Sequence, residues 1–186
     1  MSVQLTRHRF TWDDYHAMAA AGALRDDDRV ELIEGEIVDM TPVGSRHAAA
    51  VDLLTRWLAV GCGTRAIVRV QGPVRVGAHS EPQPDLLALA PRDDFYRDKS
   101  PTADDVLLLI EVADSSLQYD QTVKLPLYAR AGVREVWLVD LVRDEVQVHR
   151  EPTPGGFGFV ERHRRGESVE PIAFAGLSLR VDELLG

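Results

Sequence analysis

The stretch Leu107-Leu108-Leu109-Ile110-Glu111-Val112 constrains the fold of this chain more than any other. So dense an apolar run reads as a strand buried on both faces, as in a sheet covered by helices. Glu111 stands near the end of that run, where a carboxylate has no packing reason to be. A second apolar strand, Asp85 to Ala90, opens with an acid directly after Pro84. Lys124 follows thirteen positions after Glu111. Two acids on core strands with a lysine nearby suggest a metal-assisted site, and the rest of the chain reads as its frame.

That frame is legible in order. Residues 1–10 read as an extended lead-in. Thr11 is a candidate N-cap, with Asp13 and Asp14 in the first turn of a helix that reaches about Ala20. The acidic run Arg25-Asp26-Asp27-Asp28-Arg29 reads as a solvated turn. Val30 to Met40 is a hairpin turning at Gly35. Ser45 is taken as the cap of a second helix to about Val60, with Val51, Leu54 and Leu58 on one face. Arg65–Val70 and Pro73–Val76 read as strands, and residues 91–105 as surface loop or short helix. A helix within Asp120–Ala131, closed by Gly132, leads to a strand at Val133–Asp140. Glu145–Arg150 returns as a hairpin across Leu141–Asp144. Pro152 to Gly156 is a turn, and Phe157–His163 and Leu177–Leu185 finish the chain. At 186 residues, with no internal repeat and no linker, the expectation is one α+β domain over residues 1–186.

Charge narrows the class. The net charge of −9 weighs against broad, non-specific nucleic-acid binding, which needs a basic surface to release counterions, but not against a local basic groove. A single cysteine, Cys62, has no internal disulfide partner, so a reducing cytoplasm is the expected compartment. No apolar run approaches a membrane span, and the N-terminus lacks a signal peptide's apolar segment. No zinc-type Cys/His spacing, P-loop, dinucleotide-binding glycine pattern or Gly-x-Ser-x-Gly elbow is present.

Asp85 and Glu111 remain the sharpest chemistry. Mg²⁺ prefers oxygen ligands and is often held by one or two carboxylates plus water and substrate phosphate. Acids at the ends of adjacent buried strands would supply such a site rigidly; acids at exposed strand ends would merely be solvated. For Lys124 a helical ion pair with Asp120, four residues earlier, competes with a role in stabilising charge on a phosphodiester. Glu31, Glu34 and Glu36 surround one turn, and one of them could point into a cleft. His47, at the start of the second helix, could contact phosphate. Arg162, His163, Arg164 and Arg165 are the one basic cluster, either solvated or tracking a phosphate backbone.

The blocks Glu31-Leu32-Ile33-Glu34-Gly35-Glu36-Ile37, His47, Pro84-Asp85, Glu111-Val112 and Lys124 through Tyr128-Ala129-Arg130-Ala131-Gly132-Val133-Arg134-Glu135-Val136-Trp137-Leu138-Val139-Asp140 together resemble the Uma-two family of the PD-(D/E)XK nuclease superfamily. The resemblance implies a restriction-endonuclease-like core, a mixed sheet flanked by helices. It implies that Asp85 and Glu111 bind Mg²⁺, with Mn²⁺ as a substitute and the Val112 carbonyl as a further ligand. Superfamily members usually carry a lysine two residues after the second acid. Here that position is Ala113, and the family's lysine on the following helix matches Lys124. Glu34 and His47 match further polar positions of the family. Asp114 and Pro126 depart from its pattern.

The expected function is therefore a Mg²⁺-dependent endonuclease acting on nucleic acid, DNA first, with no membrane partner and with monomer or homodimer left open. A catalytically silent nuclease fold serving as an interaction module is the alternative from another class.

Overall fold

In the computed structural model, described here for residues 7–25 and 27–185, the chain forms one large mixed sheet with helices on both faces. Most of the expected lead-in and Asp26 of the acidic turn lie outside the described residues. The first helix, α1 (Trp12–Ala20), starts as its sequence dictates. Thr11 caps the Asp14 amide, and the Asp14 carboxylate reaches back to the Thr11 amide in a capping box. The hairpin of β1 (Val30–Ile33) and β2 (Glu36–Asp39) turns through Glu34 and Gly35. Both have positive φ, 49° and 81°, as a two-residue turn matching strand twist requires.

The second helix, α2, spans Ser45–Cys62. Its N-cap is Gly44, with no side-chain cap, so Ser45 is the first helical residue and not the expected cap. The strands that follow are β3 (Ile67–Val70), β4 (Leu86–Leu89), β5 (Val106–Ala113), β6 (Glu135–Asp140), β7 (Glu145–Thr153) and β8 (Gly156–Arg164). They pair in that order, antiparallel throughout except for the parallel pair β5–β6. The expected neighbour relation of the 106–112 and 133–140 runs holds, from Leu109 opposite Val136 to Ala113 opposite Asp140. The stretch Pro73–Val76 is not a strand. Pro73 has no amide to donate, Val74 and Val76 bond back to Pro82 and Ser80, and only Arg75 makes an isolated bridge.

Between β5 and β6 runs a helix in three pieces: α3 (Leu117–Tyr119), a π turn (Asp120–Lys124) and α4 (Leu125–Arg130). Pro126 neither starts this helix nor breaks it. It falls in the first turn of α4, and the wider turn before it accommodates the missing amide and the bulk of its ring. The chain ends in a small pair, β9 (Ser168–Val169) with β10 (Leu179–Arg180), and a last helix, α5 (Val181–Leu185).

Along β5 the side chains alternate between two cores. Leu108, Ile110 and Val112 pack with Leu54 and Leu58 of α2 and with Trp137. Leu109 and Ala113 pack with Tyr128 and Leu125 of α4 and with Leu138. Glu111 belongs to the second set by parity, so its carboxylate emerges on the face covered by α4 and the β1–β2 hairpin.

Candidate active site

The site forms where β4 stops short of β5. The last ladder pair there joins Leu86 to Ile110, so β5 continues past Glu111 and Val112 without a strand on that side. Asp85 turns into the opening. Its Oδ2 accepts the Val112 amide at 2.9 Å and sits 3.0 Å from His47 Nε2, while its own amide points at Glu111 Oε2, 3.4 Å away. In an extended strand the N–H and C=O of one residue point the same way. The Val112 carbonyl therefore faces the same opening as its amide.

Glu111 is held from three sides. Besides the Asp85 amide, its Oε1 accepts the Tyr128 hydroxyl at 2.6 Å and lies 3.2 Å from Lys124 Nζ. Lys124 also contacts Glu31 Oε2, at 3.3 Å. It does not make the ion pair expected of a surface helical lysine: it is buried, and its ion pairs are to Glu111 and Glu31 rather than to Asp120. Asp120 instead accepts the Ser116 hydroxyl, at 2.6 Å.

Asp85, Glu111, Val112, Lys124 and His47 thus line one cleft of about 370 Å³. Glu34 does not. It sits at the tip of the hairpin turn, half exposed, in an ion pair with Arg130 on the far side of α4, and Glu31 enters the cleft in its place. The reason is strand parity: Glu31 lies on β1, whereas Glu34 occupies the turn and points off the end. Glu31 was one of three acids around that turn, and the sequence carries no signal that separates them. Its carboxylate is fixed by the Gln83 amide, at 3.1 Å, a contact between segments 52 residues apart. Tyr128 was visible in the sequence only as an aromatic on an apolar helix face. The basic cluster at Arg162–Arg165 lies outside the cleft and is partnered by Glu145, Asp144 and Glu161.

The electrostatics of the cleft follow from burial. Glu31, Asp85, Glu111 and Asp120 are all buried, facing one buried ammonium. Burial, then the charges of Asp120 and Asp85, push the Glu111 carboxyl up to about 8, although Lys124 and Tyr128 pull the other way. Asp120 is raised for the same leading reason. Burial acts against the Lys124 charge, but Glu111, Glu31 and Asp120 outweigh it and hold the ammonium firmly protonated. His47 is raised by its hydrogen bond to Asp85. Among the described residues, two buried polar atoms of the cleft, His47 Nδ1 and the Tyr119 hydroxyl, have no hydrogen-bond partner.

This donor set fits a hard divalent cation. Carboxylates outnumber cations in a buried space, and two of them are driven toward protonation, chiefly by burial and further by their like-charged neighbours. Among the described residues no three His, Cys, Asp or Glu side chains form a preformed cage. Mg²⁺ keeps much of its water and needs only one or two protein carboxylates, a number that Asp85 and Glu111 can supply.

A mixed sheet flanked by helices, with two acids at the parting of β4 and β5 and a lysine from the crossover helix, defines the restriction-endonuclease-like fold. The chain belongs to the Uma2 family, described as "Putative restriction endonuclease", whose model matches residues 12–182. A solved structure from Anabaena variabilis ATCC 29413, described as a putative nuclease belonging to DUF820, superposes with a TM-score of 0.72 at 16% identity. The match covers 95% of this chain and 97% of that one. At that identity the likeness is one of fold. Among curated proteins no relative matches.

Proposed function

We propose that this protein is a nuclease that hydrolyses phosphodiester bonds with Mg²⁺, DNA being the substrate class. One observation carries the reading: Asp85, Glu111 and Lys124, three residues that have no role in the apolar core, meet in one cleft by way of 2.9–3.4 Å contacts. Family membership and the Anabaena likeness support it. Asp85, Glu111 and the Val112 carbonyl would hold the cation, which when bound lowers the pKa of a water and offsets charge on the phosphodiester. Mn²⁺ would serve as a substitute.

The chain's own groups divide the remaining work. Tyr128 and the Asp85 amide fix the Glu111 carboxylate. Lys124 is kept charged and aimed by Glu111 and Glu31, so its ammonium stabilises the negative charge that develops on the phosphoryl oxygens. His47, whose Nε2 lies 3.0 Å from Asp85, stands in the first turn of α2, where a phosphate oxygen is well received.

The test is cleavage of duplex and single-stranded DNA with Mg²⁺ or Mn²⁺, with chelator as the blank. Asp85→Ala and Glu111→Ala are expected to abolish cleavage while the fold survives, and Asp27→Asn, on an exposed acid, to change little. Cleavage that survives both cleft substitutions would place the site elsewhere. Absence of both cleavage and Mn²⁺ binding in the unaltered protein would favour the interaction module, the reading that the charge of −9 supports.

A further inference from the structure

The strand ends beside the cleft gather five arginines, Arg46, Arg143, Arg162, Arg164 and Arg165. In a parallel pair the C-terminal ends of β5 and β6 lie at one edge, and the antiparallel β7 and β8 bring their start and finish to the same edge. The cleft acids stand at that edge on β5. Beyond them, in spatial order, come Arg143 in the β6–β7 turn and Arg162, Arg164 and Arg165 at the end of β8. Arg46, adjacent to the cleft residue His47, joins the row from the first turn of α2.

These arginines are organised by three carboxylates. Asp144 takes Arg46 on Oδ1 at 2.9 Å and Arg165 on Oδ2 at 3.3 Å. The next residue, Glu145, takes Arg162 and Arg164, each at 3.4 Å. Asp140 takes Arg143 at 3.0 Å. Asp140 and Glu145 are buried, at 0% and 4% side-chain exposure, whereas the arginine side chains they hold are 58–72% exposed. Asp140 and Glu145 therefore each grip one side of an arginine fork, leaving donors of Arg143, Arg162 and Arg164 turned to solvent. At the outer end Glu167 is taken up by the Arg164 amide.

We infer that this arginine row is the track for the phosphodiester backbone of a nucleic acid whose scissile phosphate sits in the cleft. The inference rests on the nuclease reading above. It bears on the charge balance of that reading, because an acidic cleft on a chain of net charge −9 repels its own substrate, and the row supplies solvent-facing guanidinium donors beside it. The scale fits. Three strand spacings of about 4.8 Å separate β5 from β8, so the row extends about 14 Å from the cleft. At about 3.4 Å of rise per nucleotide, that is some four backbone steps from the scissile bond. Arginine held by buried acids is prepaid in side-chain order and matches phosphate geometry as lysine does not.

The test is fluorescence anisotropy on a labelled 20-base-pair DNA duplex in Ca²⁺, at KCl concentrations from low to physiological. Arg162→Gln with Arg164→Gln is expected to flatten the slope of log affinity against log salt by about 2, and Arg46→Gln alone by about 1. Affinity at moderate salt should fall roughly tenfold for the double variant. Lys99→Gln, in the loop at the opposite sheet edge, is the control and should match the unaltered protein. Thermal midpoints within a degree or two would show that the variants fold.

A slope unchanged in the double variant, or equally reduced by Lys99→Gln, overturns the track. If cleavage is intact and Asp85-dependent while the slope does not move, the track alone falls. If the slope moves as expected and no cleavage is found, the track stands and the nuclease reading falls. Equal competition by poly-glutamate would mean that the row reads an acidic peptide, and the nucleic-acid assignment would be lost.

Discussion

Lys124 is the residue whose surroundings decide most. Asp120, its i−4 neighbour, offered a surface ion pair worth a few tenths of a kcal/mol. The structure buries Lys124 between Glu111 and Glu31 instead. Lys124→Met, which removes the charge and keeps most of the volume, should cut the cleavage rate by about a hundredfold or more, by the usual cost of losing a transition-state charge partner. It also removes a cation that competes for Glu111, so Mn²⁺ affinity, measured by calorimetry, should hold or rise. A fall in affinity would mean that the lysine organises the metal ligands instead. Tyr128→Phe deletes the hydroxyl that Glu111 accepts at 2.6 Å. With that carboxyl raised, the hydrogen bond is one between neutral groups and contributes about 0.5–1.5 kcal/mol, so a comparable loss is expected in urea unfolding of the metal-free protein. Glu34→Ala breaks only a half-exposed pair with Arg130. It should cost under about 1 kcal/mol and leave cleavage as it was.

At the scale of elements, the π turn at Asp120–Lys124 is the least expected feature and the one that aims the lysine. Leu125 donates its amide to the Asp120 carbonyl, the i→i−5 bond of a widened turn. Pro126 follows directly and has no amide to offer Thr122. Pro126→Ala restores that donor and removes the ring, so the turn can tighten to α and rotate Lys124 relative to β5. The expected result is slower cleavage with thermal stability equal or higher, read from initial rates and melting. Unchanged rates would mean that packing of Leu125 and Tyr128, not the proline, sets the register. The hairpin that carries Glu31 rests on a comparable local demand. A Cβ at Gly35 would lie 2.6 Å from the Arg9 Cβ, and φ there is 81°, so no other residue fits that turn without strain.

For the whole molecule, the buried acids tie stability to pH. The Glu111 carboxyl is raised to about 8 from an ordinary 4.5. Between those values the folded chain keeps a proton that the unfolded chain releases, so the Glu111 contribution to stability falls as pH rises through that window, while His149, lowered by burial to about 4, acts the opposite way over a narrower span. His47 acts in the same direction as Glu111, since its raised value contributes stability at low pH that is lost on deprotonation. The metal-free protein should therefore melt lower at pH 8 than at pH 5.5. Mg²⁺ should narrow or reverse that difference, because a cation bound only by the folded state adds stability by mass action. Glu111→Gln should flatten the metal-free profile, and a profile unaltered by that substitution would show that another group sets it. No described helix is long and apolar enough to cross a membrane.

The sequence by itself determined the sheet and its covering. Dense apolar runs at 106–112 and 133–140 fit a middle position in a sheet, and the length of the helix between them dictates a parallel crossover. The capping box at Thr11 and the turn at Gly35 are likewise local chemistry, readable without the fold. The acids that interrupt those runs, Asp85 and Glu111, were conspicuous for the same reason, since a core strand gives no packing role to a carboxylate. What the tertiary structure decided is which polar groups share the cleft. Glu31 rather than Glu34 enters it, Lys124 leaves Asp120 for Glu111, and Tyr128 turns from packing residue to hydrogen-bond donor. Each of those choices joins segments 13 to 93 residues apart. Helical spacing and hairpin alternation rank neighbours within about one turn or one strand pair. They carry no information about which distant carboxylate an ammonium will reach once both are buried.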